Sequence, residues 1–173
     1  MFILELDAGH GGSDPGAGGF GYQEKNDVLA FTLKVGAKLT AKYEIDVRYT
    51  RTTDVFVELK ERSNISDRCG ANFFISFHEN AFNTQAKGFE SYSYLGAAAS
   101  TKKTQTTIHN KVFAVLATRG VVNRGMQEKN LSVVRECKAS ALLFENLFID
   151  NAAENALQHD GSFHVLAHCQ PTR

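Results

Sequence analysis

The chain has 173 residues, 43% of them hydrophobic and 22% charged, which suits one globular domain with a full core. Formal net charge is zero, so bulk electrostatics point to neither a nucleic acid nor a membrane surface as partner. No apolar run approaches the length that spans a bilayer, and the three cysteines, Cys69, Cys137 and Cys169, form no C-x-x-C pair and no disulfide framework. They are expected to be small buried or half-buried thiols.

In chain order, residues 2–6 read as a short apolar strand and residues 9–21 as a long Gly-rich loop. Residues 25–41 place Val28, Phe31, Val35 and Leu39 on one helical stripe. Residues 44–50 read as a second strand, and residues 57–69 as a helix with Leu59, Ile65 and Cys69 inward. The nearly continuous apolar run of residues 72–77 suits a central strand buried on both faces. Residues 88–95 alternate as a strand, and residues 101–118 read as a long helix with Ile108, Val112, Val115 and Leu116 inward. Residues 131–135 and 140–144 read as strands, and residues 152–158 and 162–169 as two short closing helices. The alternation predicts an α/β, single three-layer domain, a mostly parallel or mixed central sheet flanked by helices.

In such sheets ligands gather beyond the carboxyl ends of the strands. Three predicted strands end in a metal-binding or proton-carrying group: Asp7-Ala8-Gly9-His10, Ser76-Phe77-His78-Glu79-Asn80 and Leu142-Leu143-Phe144-Glu145. Glu24 opens the first helix across the Gly-rich loop. Two imidazoles and a carboxylate suit zinc, with a coordination position left for water. Glu145 is then the natural proton carrier, since a carboxylate after Leu-Leu-Phe is costly unless paired. Taken singly, each histidine reads more simply as a solvated residue and Glu24 as an acid placed for the helix dipole; the joint pattern is what carries weight. Gly16-Ala17-Gly18-Gly19-Phe20-Gly21 matches G-x-G-x-x-G, but it neither follows its strand directly nor opens the helix, so a dinucleotide site is disfavoured. The glycines are better explained by a chain that doubles back to bring Glu24 towards His10. His109, His159, His164 and His168 are expected at the surface or facing a partner.

These motifs resemble the zinc-dependent N-acetylmuramoyl-L-alanine amidases of bacterial autolysins and phage endolysins. The resemblance runs through the stretch from Asp7 to Ala17, Glu24, Thr50-Arg51, Asp54, Leu59, Arg62, Ala71-Asn72, Ser76 to Ala81, Gly88-Phe89-Glu90, Arg124-Gly125, Val133 to Glu136 and Leu143 to Asn151. It implies one zinc ion per chain on His10, Glu24 and His78, with Glu145 catalytic. It also implies hydrolysis of the amide between N-acetylmuramic acid and the L-alanine of the peptidoglycan stem peptide. Residues 1–173 are then one catalytic domain, expected to work as a monomer, with a cell-wall-binding module left open beyond it. With no leader sequence legible at Met1, the wall is expected to be reached as a phage lysin released through holin pores or as a domain of a longer exported protein. Two departures stand out: Glu79 replaces a small residue after the third ligand, and Ala139-Ser140-Ala141 stands where a proline is usual. Metal tuning, substrate binding and plain solvent exposure are all open readings of Glu79. The alternative functions are a zinc peptidase cutting within the stem or cross-link, and a non-catalytic peptidoglycan-binding module.

Overall fold

The computed structural model describes residues 1–160. The helix expected at residues 162–169, with His164, His168 and Cys169, lies outside them.

Strand β1 (Phe2–Ala8) runs into the Gly-rich loop, where β2 (Gly18–Gly19) and β3 (Tyr22–Gln23) form a small antiparallel pair. Helix α1 (Glu24–Lys42) leads to β4 (Ile45–Tyr49), α2 (Leu59–Cys69) to β5 (Phe73–Asn80), and β6 (Phe89–Tyr94) to α3 (Ala99–Ala117). Then follow β7 (Asn123–Lys129), α4 (Ser132–Arg135), β8 (Ser140–Phe148) and α5 (Ala152–His159). Six strands form one sheet in the order β4-β1-β5-β8-β6-β7. Neighbours among β4, β1, β5 and β8 are parallel, β6 is antiparallel to β8, and β7 is parallel to β6. The expected α/β three-layer architecture with a mixed sheet is therefore what the chain adopts. No helix among the described residues is long and apolar enough to cross a membrane.

Burial follows side-chain alternation along the strands. Leu4, Leu6, Phe73, Ile75, Phe77, Leu142 and Phe144 face α1 and α3, meeting Val35, Val112 and Leu116 in the larger core. Phe74, Ala141 and Leu143 face the other way, onto Val133 and Val134 of α4. The apolar run in β5 is thus explained: both of its faces are covered. Helix α5 is capped by Asn151, whose side chain accepts from the backbone N–H groups of Ala153 and Glu154.

Four expectations need correction. Residues 131–135 do not form a strand; α4 is one helical turn, which lets adjacent Val133 and Val134 both enter the same core. The β-branched pair favours strand locally, and packing overrides that preference. The inward face of α2 is polar, made of Arg62, Ser63 and Ser66, while Leu59 is 60% exposed. His109 is fully buried in α3, bonded through Nδ1 to Ser91 Oγ and through Nε2 to Asn123 Oδ1, both 2.9 Å. Finally, β5 and β8 run on to Asn80 and Phe148, so His78 and Glu145 lie on the strands and not after them.

Candidate metal centre and active site

The first ligand candidate sits on a strained, well-anchored loop. His10 adopts φ +57, a left-handed conformation that costs energy for a residue with a Cβ. Two buried arginines hold the carbonyls around it. Arg51 donates to Ala8 O (2.9 Å) and Gly9 O (2.8 Å), and Arg62 donates to Ala8 O (2.6 Å) and His10 O (2.7 Å). Arg62 also pairs with Asp7 at 2.8 Å, and Asp7 accepts from Thr50 Oγ1 and Ser76 Oγ, 2.6 Å each. The polar face of α2 is therefore the support beneath the loop.

His10 Nδ1 meets Asp14 Oδ2 at 2.8 Å, which turns Nε2 towards Glu24 Oε1 at 3.1 Å. A carboxylate behind a histidine in this way fixes its tautomer and raises its basicity as a ligand. Glu24, 2% exposed at the first position of α1, accepts from Ala17 N (2.8 Å) on Oε2 and from Glu79 N (2.9 Å) on Oε1. His78 Nδ1 reaches the same Oε1 at 3.0 Å from β5. The His10 and His78 rings meet edge to face with centroids 4.9 Å apart. One donor atom from each of His10, Glu24 and His78 lies within 4.8 Å of the other two.

Two glycines make this convergence possible. A Cβ on Gly9 would lie 2.6 Å from His78 Nε2, and one on Gly16 (φ +66) would lie 2.6 Å from both Glu24 Oε2 and His10 Cδ2. The electrostatics are those of a cation site. Burial opposes charge on His10, but hydrogen bonds to Glu24 and Asp14 outweigh it and raise the imidazole to about 9. Burial likewise opposes charge on His78, and Glu24 outweighs it, again upward. Glu24 is held well below the usual carboxylate range by the two imidazoles, against its own burial. Two nitrogens and one oxygen converging on a point that stabilises positive charge fit zinc.

Glu145 on β8 lies in register with His78 of β5 on one side and Glu90 of β6 on the other. Its Oε2 is buried and has no hydrogen-bond partner among the described residues. Burial pushes its carboxyl up to about 7, with His78 opposing and Glu24 and Glu90 reinforcing the rise. The four residues singled out from sequence thus lie along one rim of the sheet. Glu79 does not face solvent: it is 7% exposed and points to the opposite face. There it lines a cavity of about 190 Å³ with Asp27, Lys34, Asn146 and His159 among others. Sequence reasoning assigned no role to Asp14, Arg51, Arg62 or Glu90. The signal for Asp14 was its position four residues after His10; the arginines gave none beyond their place in the family's course.

A profile of the N-acetylmuramoyl-L-alanine amidase family matches residues 4–167. The endolysin of Bacillus phage SPP1 is 42% identical over 163 residues, covering 93% of this chain and 60% of that protein. The sporulation-specific N-acetylmuramoyl-L-alanine amidase of Bacillus subtilis (strain 168) is 41% identical over 155 residues, covering 89% of this chain and 59% of that protein. The chain thus spans about 60% of the length of these relatives. Among solved structures, the N-acetylmuramoyl-L-alanine amidase of Clostridium difficile 630 superposes with a TM-score of 0.90 at 26% identity, covering 96% of this chain and 90% of that one. The catalytic domain of CwlV from Bacillus (Paenibacillus) polymyxa var. colistinus does so with 0.83 at 32% identity, covering 96% and 92%. On sequence, fold and the convergence of His10, Glu24 and His78, the chain belongs to the N-acetylmuramoyl-L-alanine amidase family.

Proposed function

We propose that this chain is the catalytic domain of a peptidoglycan hydrolase that cleaves the amide between the lactyl group of N-acetylmuramic acid and the first L-alanine of the stem peptide. His10, Glu24 and His78 would hold one zinc ion, and Glu145 would move the proton. The observation that carries this reading is three candidate ligand atoms within 4.8 Å of one another, with Glu145 in register with His78 and its buried Oε2 without a hydrogen-bond partner among the described residues.

Zinc bound there would supply a Lewis acid for water and for the scissile carbonyl. The protein supplies the rest. Asp14 fixes the His10 ring through Nδ1, and Ala17 N and Glu79 N fix the Glu24 carboxylate. Glu145, held at about 7, accepts a proton from the attacking water and returns it to the alanine nitrogen as the C–N bond breaks. A carboxyl raised by burial towards neutrality is suited to both roles, accepting a proton and then giving it back. No nucleophilic side chain is required. Burial raises Cys69 to about 11 and Cys137 to about 12, so neither thiol is an activated nucleophile.

The test is digestion of purified muropeptides by zinc-loaded protein, read by product mass. The expected products are a sugar with a free lactyl carboxylate and an intact stem peptide with a free alanine amine. A chelator should abolish the reaction and zinc should restore it. Cleavage only within the stem would replace this reading with the peptidase alternative, and binding without products would replace it with the non-catalytic one.

A further inference from the structure

Beside the proposed reaction centre, the guanidinium of Arg124 is held in place with its binding edge unused. Three features build it. Gly88 (φ +115) has no side chain, and a Cβ there would lie 2.9 Å from Arg124 Cγ and 3.2 Å from Cδ, so the glycine leaves the lane in which the arginine stem runs. Arg124 Nε pairs with Glu90 Oε1 at 3.3 Å, and that carboxylate, itself only 6% exposed, also accepts from Asn80 Nδ2 at 2.6 Å. The guanidinium carbon lies 5.0 Å over the Phe148 ring.

An arginine that only neutralised Glu90 would favour the two-pronged arrangement in which two N–H groups meet one carboxylate. Here the nearest approach is through Nε, at 3.3 Å, and no two-pronged hydrogen-bonded pair forms. Among the described residues the terminal nitrogens have no hydrogen-bond partner, and the side chain is 38% exposed. A planar pair of donors on a charged, stacked and tethered group is a carboxylate receptor.

Its place relative to the chemistry follows from register. Glu90 is paired across the sheet with Glu145. Arg124 lies on β7, one strand beyond Glu90, and its side chain turns back to Glu90 on the strand between it and Glu145. In an extended stem peptide, the carboxylate carbon of the residue after the first alanine lies roughly 7 Å from the scissile carbonyl carbon. With roughly 3 Å of hydrogen-bond reach at either end, a carboxylate at that distance can reach Arg124 across the single strand that carries Glu90.

Resting on the hydrolase reading above, we infer that Arg124 binds a carboxylate on the second residue of the stem peptide. The enzyme therefore selects stems in which that carboxylate is free over stems in which it is amidated. The test is a matched pair of soluble muropeptides, identical except for a carboxylate or a carboxamide at that position, turned over by the zinc-loaded protein. The wild type should cleave the free-carboxylate substrate with a kcat/KM roughly 10- to 100-fold higher, the range of a charge-assisted hydrogen-bonded contact. Arg124→Gln should bring that substrate down to the level of the amidated one, whose own rate changes by less than about threefold. Equal wild-type rates on the pair, or a wild-type ratio preserved in Arg124→Gln, would overturn the inference. The first comparison needs no variant, so it decides the matter even if Arg124→Gln fails to fold. Cleavage of neither substrate at the sugar–peptide amide by the wild type would instead overturn the hydrolase reading, and the inference with it.

Discussion

Gly9→Ala is the sharpest probe of how the loop serves the cluster. Gly9 lies outside the left-handed region, so alanine fits its backbone, and the nearest obstacle is the His78 ring. An added Cβ would sit 2.6 Å from Nε2 and 2.7 Å from Nδ1, and closer still to Cε1. Ordinary contact begins near 3.4 Å and Cε1 would lie nearest of all, so the ring must retreat by about 1.1 Å. Metal–ligand distances tolerate only about 0.2 Å. His78 must therefore leave its position, and zinc affinity should fall by at least roughly 10- to 100-fold, the cost of disturbing the surroundings of a ligand. Equilibrium competition against a chromophoric chelator would measure this, with thermal unfolding of the metal-free protein as the control for folding. A Gly9→Ala protein that folds and binds zinc as tightly as the wild type would refute the reasoning, because the ring would then not be confined where the structure puts it.

Away from the site, Glu5 is fully buried on β1, with Oε2 accepting from Cys69 Sγ at 3.2 Å and Oε1 without a hydrogen-bond partner among the described residues. Burial raises its carboxyl from 4.5 to about 7. Between those values the folded chain holds a proton that the unfolded chain has lost, so stability falls as pH rises through this window and levels off above it. At about 1.4 kcal/mol per pH unit the loss is on the order of 3 kcal/mol. Glu5→Gln should remove it, so its stability advantage over wild type in denaturant titrations should grow between pH 5 and pH 8; a constant difference would contradict the assignment. Arg62→Met should cost about 3–5 kcal/mol, since it strands the buried Asp7 charge and frees the carbonyls of Ala8 and His10. A loss below about 1 kcal/mol in the same titrations would show that Asp7 finds other support.

The fold was legible where burial imposed a pattern. The β5 run, the α1 stripe and the inward face of α3 at Val112 and Leu116 each announced what they pack against. Strand β7 was not legible, because it lies at the sheet edge with nearly every residue exposed and so shows no alternation. Helix α2 was misread in its facing for the opposite reason: its buried residues are polar, and Arg62 is inside because Asp7 is there to meet it. His109 was misjudged for the same cause, since only the fold brings Ser91 and Asn123 to its two ring nitrogens. At the candidate site the convergence of His10, Glu24 and His78 was legible from two strands and a helix start, with Glu145 placed on the neighbouring strand to His78. What the sequence left out was the supporting cast: Asp14 behind His10, the two arginines beneath the loop, and the line from Gly88 through Glu90 to Arg124. Apart from Asp14, four residues after His10 in the same loop, those contacts join residues on different elements, and no spacing rule within one element encodes them.

In the proposed reaction Glu145 carries the proton while His10, Glu24 and His78 hold the metal. Glu145→Gln keeps the shape of the side chain and removes its ability to carry a proton. Measured in one sample, zinc content should stay at one ion per chain while turnover of muropeptide falls by roughly 10²–10⁴-fold. Turnover close to wild type, or loss of the zinc together with the activity, would contradict the role given to Glu145.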